Sequence, residues 1–285
     1  MIEISYNKLL KSIGIYEVEE MATYEEFAKV YNTFMEDVPY SKWVAFIERT
    51  MNRYLVTPKI MCDLGCGTGI MCRLFAKKGI EMIGIDSSQE MLMEAMTYQG
   101  DEGASILYLN QDMRTFELYG TVDVIYSSCD SINYLLHKEE VLETFRWVNN
   151  YLEPNGLFIF DINTVYKYEN ILNDQTFAYQ GEQAAYIWEN YFDKKEMLNE
   201  FTVNFFIKEK KDYYKRTEEI HYQRAYEIEE IKRLLEEAHL ELLGIYDDYT
   251  DRPLVENTLR ATFVVREKGK ERNKYNEGLY IKRNR

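Results

Sequence analysis

The apolar positions of this chain fall into two alternating patterns, short continuous runs and stripes with helical spacing. The alternation is clearest between residues 59 and 86, where a short apolar run leads into a glycine-rich turn, a helical stripe and a second apolar run that ends at Asp86. The glycines are Gly65, Gly67 and Gly69, and the stripe is Ile70, Leu74 and Phe75. This order predicts a strand, a tight turn, a helix and a second strand, which together form a βαβ unit.

The same alternation continues along the chain. Helices are predicted at 87–98, 138–152 and 227–238, and further strands at 106–109, 122–126, 157–162, 240–246 and 261–266. Strands that alternate with helices in this way favour an α/β fold built on a doubly wound sheet, here of seven strands.

Three regions depart from this alternation. Residues 1–57 carry apolar residues at helical spacing and predict an N-terminal helical cap. Within 165–224, three segments at 184–192, 197–208 and 213–223 alternate apolar and polar residues, which predicts an antiparallel β insertion. We therefore expect a core made of 58–164 and 225–266, interrupted by that insertion and followed by a charged tail at 267–285.

The length, composition and net charge of the chain limit the kinds of partner that it can bind. The 285 residues, 46% of them hydrophobic, are enough for one sizeable core and a small accessory lobe. The formal net charge of −15 repels phosphate backbones and anionic membranes, so we expect neither a nucleic acid nor a membrane partner. No apolar run reaches the length of a membrane span, and the N-terminus lacks a signal-peptide core. These features favour a cytoplasmic location.

The cysteines do not predict a metal site. Cys62-x-x-x-Cys66 has no second cysteine pair, Cys129 lies far along the chain, and the three histidines are scattered. We therefore expect reduced thiols and no metal cofactor.

The glycine turn predicts a polar ligand. Glycines allow positive φ angles and remove the Cβ atoms that would hold a ligand away from the backbone, and the helix that follows offers free N–H groups. Gly67 and Asp86 are 19 positions apart. An acidic residue at about that spacing, at the end of the second strand, is placed to accept both hydroxyls of a ribose. A cofactor that contains a nucleoside is therefore implied.

The glycine spacing excludes two common nucleotide motifs. The dinucleotide fingerprint G-x-G-x-x-G would need a glycine at Ile70 or at Cys72, depending on the frame. A phosphate-binding P-loop would need Gly-Lys-Ser/Thr after the turn, and none follows.

The turn resembles motif I of the class I S-adenosylmethionine-dependent methyltransferases, in which an acidic residue and one further residue precede G-x-G-x-G. Asp63, Gly65, Gly67 and Gly69 match that pattern. The resemblance implies a Rossmann-like seven-stranded sheet whose last strand is antiparallel. It also implies S-adenosylmethionine as the methyl donor and S-adenosylhomocysteine as the product.

The resemblance further implies a set of cofactor contacts. Asp86 would bind the ribose, Asp112 and Met113 the adenine, and the Ser128–Cys129 backbone the methionine tail, while Asp63 would support the turn and reach the ammonium group through a water. The full expected cofactor set is Tyr31, Asp63, Gly65, Cys66, Gly67, Thr68, Gly69, Asp86, Ser87, Met91, Gln111, Asp112, Met113, Ser128 and Cys129.

The acceptor side is less specific in sequence. No two prolines are adjacent, so the Asp/Asn-Pro-Pro-Tyr/Phe motif of nucleic-acid methyltransferases is absent, which favours an N or O atom of a small molecule as the acceptor. The candidates for catalysis are His221, Asp130 and Tyr31, and those for acceptor binding are Asn133, Arg224 and Tyr226. Each also has a structural alternative as a packing, capping or core residue.

Several alternatives stay open at this stage. The insertion at 165–224 either walls the acceptor pocket or forms a dimer surface, so the protein is expected to be a monomer or a homodimer. A non-catalytic S-adenosylmethionine-binding module would keep every motif above. A nicotinamide oxidoreductase would share the fold but lacks its third glycine here.

Overall fold

The computed structural model describes residues 31–32, 34–35, 37–98, 106–211 and 213–270. Its helices are α1 Tyr40–Arg53, α2 Ile70–Ala76, α3 Gln89–Thr97, α4 Lys138–Tyr151 and α5 Ile228–Glu237. Its strands are β1 Ile60–Leu64, β2 Glu81–Asp86, β3 Ile106–Asn110, β4 Val122–Ser127, β5 Leu152–Asn163, β6 Thr176–Gln180, β7 Ala184–Asp193, β8 Leu198–Lys210, β9 Tyr213–Arg224, β10 Leu240–Asp247 and β11 Arg260–Glu267. Short helical segments lie at Ser131–Tyr134, Val165–Lys167 and Tyr168–Leu172.

Seven strands form the main sheet, in the order β10-β11-β5-β4-β1-β2-β3. The last strand, β11, is antiparallel to both of its neighbours, and the pairings among β1 to β5 are parallel. The predicted Rossmann-like sheet with an antiparallel last strand is thus confirmed. The chain runs outward from β1 to β3 and returns to β4 on the other side of β1, so a crevice opens where these two strands end.

Each face of the main sheet is covered by helices. Helices α4 and α5 pack on one face, where the rings of Phe160 and Phe263 stack 4.8 Å apart. Helices α1, α2 and α3 pack on the other face, around Phe46, Phe75 and Tyr126. Because both faces are buried, the central strands are apolar throughout, which explains why continuous runs predicted them well.

The insertion folds into a separate antiparallel sheet with the strand order β6-β7-β8-β9. The sequence predicted three strands here, and the structure adds β6 at the edge. This strand has no residue that is fully buried, so its sequence carries no alternating apolar face to reveal it.

The terminal regions are described only in part. The predicted helical cap at 1–57 is represented by α1 and by the residues described between 31 and 39. Residues 1–30 and the tail from 271 onward lie outside the described residues. Helix α1 begins directly after Pro39.

Phe160 lies in the centre of the hydrophobic core. Its side chain is fully buried between Phe145, Phe158 and Phe263, so Phe160→Ala should lower the free energy of unfolding by about 3–5 kcal/mol through lost contacts and a residual cavity. Urea unfolding followed by circular dichroism measures this. Tyr119→Ala, at a fully exposed ring, is the control and should change stability little. Equal effects in the two variants would contradict this account of the core.

Candidate active site

The glycine turn leaves β1 at the crevice and is fixed by backbone bonds to β2. The N–H groups of Gly65 and Cys66 donate to the carbonyl of Ile85 at 2.8 and 2.9 Å. Gly65 and Gly67 have φ angles of +84° and +52°. A Cβ added at Gly67 would meet no protein atom within 4 Å, so the backbone there is open to a ligand.

Gly69 serves the turn differently. It has φ +72° and precedes α2, and a Cβ at this position would collide with the hydroxyl of Tyr108. It does not line the cavity described below. The requirement for glycine at this position therefore comes from the backbone angle and from Tyr108.

The carboxylate of Asp86 is held in place at the end of β2. Its Oδ2 accepts from the N–H of Gly67 at 2.7 Å, and its Oδ1 accepts from the N–H of Ser88 at 2.9 Å. Burial raises the pKa of Asp86 above its ordinary value. The turn and the carboxylate thus form one rigid unit, which is the geometry that a ribose diol requires.

Asp63 lies beneath the turn and is almost fully buried. Its Oδ2 accepts from the thiol of Cys72 at 3.4 Å, and its Oδ1 has no hydrogen-bond partner among the described residues. Burial raises the pKa of Asp63 to about 7. A carboxylate with an unused buried oxygen suits a cationic group on the ligand, because the cation would stabilise its ionised form.

Asp112 and Met113 follow β3, the strand that pairs with β2 at the edge of the sheet. The carboxylate of Asp112 is bound by Arg114 at 2.6 Å, and Arg114 also contacts Glu140 at 2.6 Å. The hydrogen bonds from Arg114 lower the pKa of Asp112. Any adenine contact made by Asp112 would therefore be shared with its bond to Arg114.

A cavity of about 930 Å³ joins the crevice to the second sheet. Most of the residues predicted for the site line it. They are Tyr31, Asp63, Gly65, Cys66, Gly67, Thr68, Asp86, Ser87, Met91, Gln111, Asp112, Met113, Ser128, Cys129, Asp130 and His221. Residues from opposite ends of the sequence thus meet in one space, at the sheet edge where the topology places a ligand.

The three residues predicted to bind the acceptor do not line this cavity. Asn133 is fully buried, and its side chain accepts from the N–H of Asn163 at 2.9 Å and donates to the carbonyl of Arg224 at 2.8 Å. The hydroxyl of Tyr226 donates to the carbonyl of Leu135. Arg224 lies over the ring of Tyr226. These side chains therefore lie where the two sheets join and do not face the cavity.

The second sheet supplies an aromatic wall that the sequence did not assign residue by residue. Tyr186, Trp188, Phe201 and Phe205 line the cavity from β7 and β8. Phe34 stacks on Phe205 with ring centres 5.4 Å apart. The segment before α1 thus packs against the insertion and covers one side of the cavity.

A buried ionic cluster forms the floor of the cavity, and sequence reasoning missed its centre, Arg260. The guanidinium group contacts Asp130 Oδ1 at 2.7 Å and also binds Asp161. Gln223 donates to the other oxygen of Asp130 at 2.7 Å, and Tyr249 donates to Asp161 at 2.6 Å. Burial opposes ionisation of Asp130, but the charges of Arg260 and Lys167 and the hydrogen bonds from Gln223 and Arg260 together outweigh it, so the pKa of that carboxyl is lowered.

The described ranges show neither a membrane-spanning helix nor a group of side chains arranged for a metal ion. None of their helices is both long and apolar enough to cross a membrane. No group of three or more His, Cys, Asp or Glu side chains within them is arranged to hold a metal ion.

The sheet order and crevice define a Rossmann-like protein, and comparison with known proteins identifies its family. A family model described as "Methyltransferase domain" matches residues 61–156. A Geobacillus sp. (strain WCH70) protein named "Putative methyltransferase" is 34% identical over 245 residues, which cover 86% of this chain and 99% of that protein. The "Putative methyltransferase YqeM" of Bacillus subtilis (strain 168) is 36% identical over 229 residues, which cover 80% of this chain and 90% of YqeM.

A solved structure agrees with these relatives. The crystal structure of an S-adenosylmethionine-dependent methyltransferase from Clostridium acetobutylicum ATCC 824 matches with a TM-score of 0.79 and 32% identity, over 86% of this chain and 99% of that one. The chain therefore belongs to the class I S-adenosylmethionine-dependent methyltransferases, as the motif at Asp63 to Gly69 predicted.

The raised pKa of Asp63 gives a pH-dependent prediction. The folded protein keeps the proton up to about pH 7, whereas the unfolded chain releases it near the ordinary value of 3.8, so wild-type stability should fall as pH rises between these values. Asp63→Asn lacks this ionisation. The variant should therefore gain up to about 4 kcal/mol relative to wild type between pH 4 and pH 8.

Urea unfolding at the two pH values measures this difference. Glu143→Gln, at an exposed carboxylate on α4, is the control for charge removal and should show no such trend. A stability difference between Asp63→Asn and wild type that does not change with pH would contradict the assigned cause.

Proposed function

We propose that this protein transfers the methyl group of S-adenosylmethionine to a nitrogen or oxygen atom of a small-molecule acceptor. The observation that carries the proposal is the continuity of one cavity from the Gly67–Asp86 unit to the aromatic wall of the second sheet. Such a cavity has room for a nucleoside at one end and an acceptor at the other, since ligand pockets usually measure about 300–1,000 Å³.

The residues present fit the cofactor. The diol of a ribose matches the two fixed oxygens of Asp86, and the ammonium group of the methionine moiety matches the unpartnered Oδ1 of buried Asp63. Gly67 leaves its backbone open for close approach. Met113 and the Ser128–Cys129 segment lie along the same cavity, where the adenine and the tail would contact them.

Methyl transfer depends mainly on the alignment of the donor and the acceptor. When bound, S-adenosylmethionine supplies a methyl group on a positively charged sulfur, so the donor needs no further activation. Holding the donor and the acceptor in line can lower the barrier by about 7–11 kcal/mol. We propose that the wall formed by Tyr186, Trp188 and Phe201 sets the acceptor in that position.

The nature of the acceptor follows from charge and enclosure. With a net charge of −15 the protein repels polyanions, which supports a small molecule over a nucleic acid. The second sheet lines the cavity, which supports a role as the acceptor-binding lid; a dimer surface on its outer face stays open, as does the choice between monomer and homodimer. The cytoplasmic location stays a prediction.

The cofactor site is tested by calorimetric titration with S-adenosylhomocysteine. Wild type should bind it, and Asp86→Asn should bind about 10–100-fold more weakly, because one of the two carboxylate acceptors for the ribose is lost. Glu81→Gln, at the exposed beginning of the same strand, is the matched control and should bind like wild type. NADH is titrated in parallel, and binding of NADH without S-adenosylhomocysteine would favour an oxidoreductase.

Turnover separates an enzyme from a binding module. Wild type with S-adenosylmethionine and pools of small amines, phenols and hydroxylated compounds should release S-adenosylhomocysteine and a methylated product, both read by mass spectrometry. Asp86→Asn should lower product formation by about 10–100-fold at low donor concentration, in line with its weaker donor binding. Tight donor binding without product from any pool would favour the non-catalytic module.

A further inference from the structure

Strand β9 brings two ionisable side chains to the cavity wall. Glu219 and His221 are two positions apart, so they project from the same face of the strand, and both line the cavity. Glu219 is only 5% exposed, and its Oε2 lies 3.0 Å from Nε2 of His221. Among the described residues, no lysine or arginine forms an ion pair with Glu219. A buried carboxylate is therefore committed to one imidazole.

This contact fixes the chemistry of the other ring nitrogen. An ionised carboxylate can only accept a hydrogen bond, so Nε2 of His221 carries the hydrogen and Nδ1 presents a lone pair. The hydroxyl of Tyr134 lies 3.4 Å from Nδ1. The ring is held in place by Phe201, which stacks on it at 4.8 Å with an interplanar angle of 11°.

The other candidate bases are unsuited to take a proton. Both carboxylate oxygens of Asp130 are occupied, one by Arg260 and one by Gln223, and its lowered pKa makes it a weak base. Burial raises the pKa of Tyr31, so its phenol stays protonated. Nδ1 of His221 thus offers a lone pair at this wall, and the hydroxyl of Tyr134 lies 3.4 Å from it.

We infer that Glu219, His221 and Tyr134 form a proton-accepting unit for the methyl acceptor. The inference rests on the proposed function and narrows it to acceptors that carry a proton on the attacking atom, a hydroxyl group or a protonated amine. Nδ1 of His221 takes that proton, either directly or through the Tyr134 hydroxyl. Glu219 is a positioning residue, which orients the ring and stabilises the imidazolium that forms.

Methyl transfer with loss of the acceptor proton conserves atoms and charge. A bond forms between the acceptor atom and the methyl carbon, and the sulfur–carbon bond breaks with its electron pair left on sulfur. The proton of the acceptor passes to Nδ1, which gives an imidazolium paired with the Glu219 carboxylate. In this geometry the positive charge that disappears at sulfur reappears at a site where a buried anion is already in place.

The first test needs neither cofactor nor acceptor. The chain has three histidines, so the imidazole region of a nitrogen-15 histidine-labelled spectrum is simple, and His221→Gln assigns the signals of His221. Wild type should show His221 with its hydrogen on Nε2, and that N–H signal should be visible because the carboxylate slows its exchange. Glu219→Leu should lose the signal.

Glu218→Gln is the matched control. It removes a carboxylate from the neighbouring position of the same strand, on the opposite face, where Glu218 pairs with Arg216. This variant should keep the His221 signal. A wild-type hydrogen on Nδ1, or an Nε2–H signal that persists in Glu219→Leu, would overturn the inference.

The second test uses the acceptor found in the mass-spectrometric screen. Glu219→Gln and His221→Gln should lower kcat by about a hundredfold while KM and S-adenosylhomocysteine affinity stay within about twofold of wild type, because only proton transfer is impaired. Glu218→Gln should leave both constants unchanged. Unchanged kcat in Glu219→Gln, or a loss confined to KM, would overturn the inference.

These outcomes separate the inference from the proposed function. Failure of wild type to bind S-adenosylhomocysteine would reject the proposed function whatever the state of His221. Normal binding and turnover with no effect of Glu219→Gln would reject the proton-accepting unit alone.

Discussion

The arrangement of the site depends on one buried guanidinium group. Arg260, at the start of the last strand, binds the carboxylates of Asp130 and Asp161 and packs over the ring of Trp43. It thereby joins the loop after β4, the end of β5 and helix α1. Removing one member of such a buried cluster leaves an uncompensated charge, which typically costs about 3–5 kcal/mol. The loop that faces the reacting groups is therefore held by ionic contacts within the core, which also keep Asp130 ionised and occupied.

The part of the candidate site around the glycine turn could be predicted because its determinants are local. Gly65, Gly67 and Asp86 lie within one βαβ unit, and the constraint on each comes from backbone angles or from the end of the next strand. Chain periodicity places such residues at the crevice without any knowledge of distant contacts. The same holds for the central strands, whose burial on both faces leaves a clear apolar record.

The part of the candidate site beside the second sheet could not be predicted in the same way, because its contacts join residues far apart in sequence. Arg260 is 130 positions from Asp130, and no local pattern marks it as the partner. Asn133 and Arg224 were expected at the acceptor, but a polar residue near a chain reversal looks the same in sequence whether it faces a cavity or the backbone. Glu219 could have been found, since its spacing from His221 on a predicted strand already places both on one face.

The contacts of Asn133 have a consequence for how acceptor choice could change. One side chain bonds to Asn163, where the chain leaves the main sheet, and to Arg224, where it returns. Asn133 therefore ties the two ends of the segment together, beside the contact of Gln223 with Asp130. A related segment of different length or lining could replace it without altering the register of the seven-stranded sheet. The chain thus combines a seven-stranded α/β sheet with an inserted antiparallel sheet that leaves and re-enters it at one place.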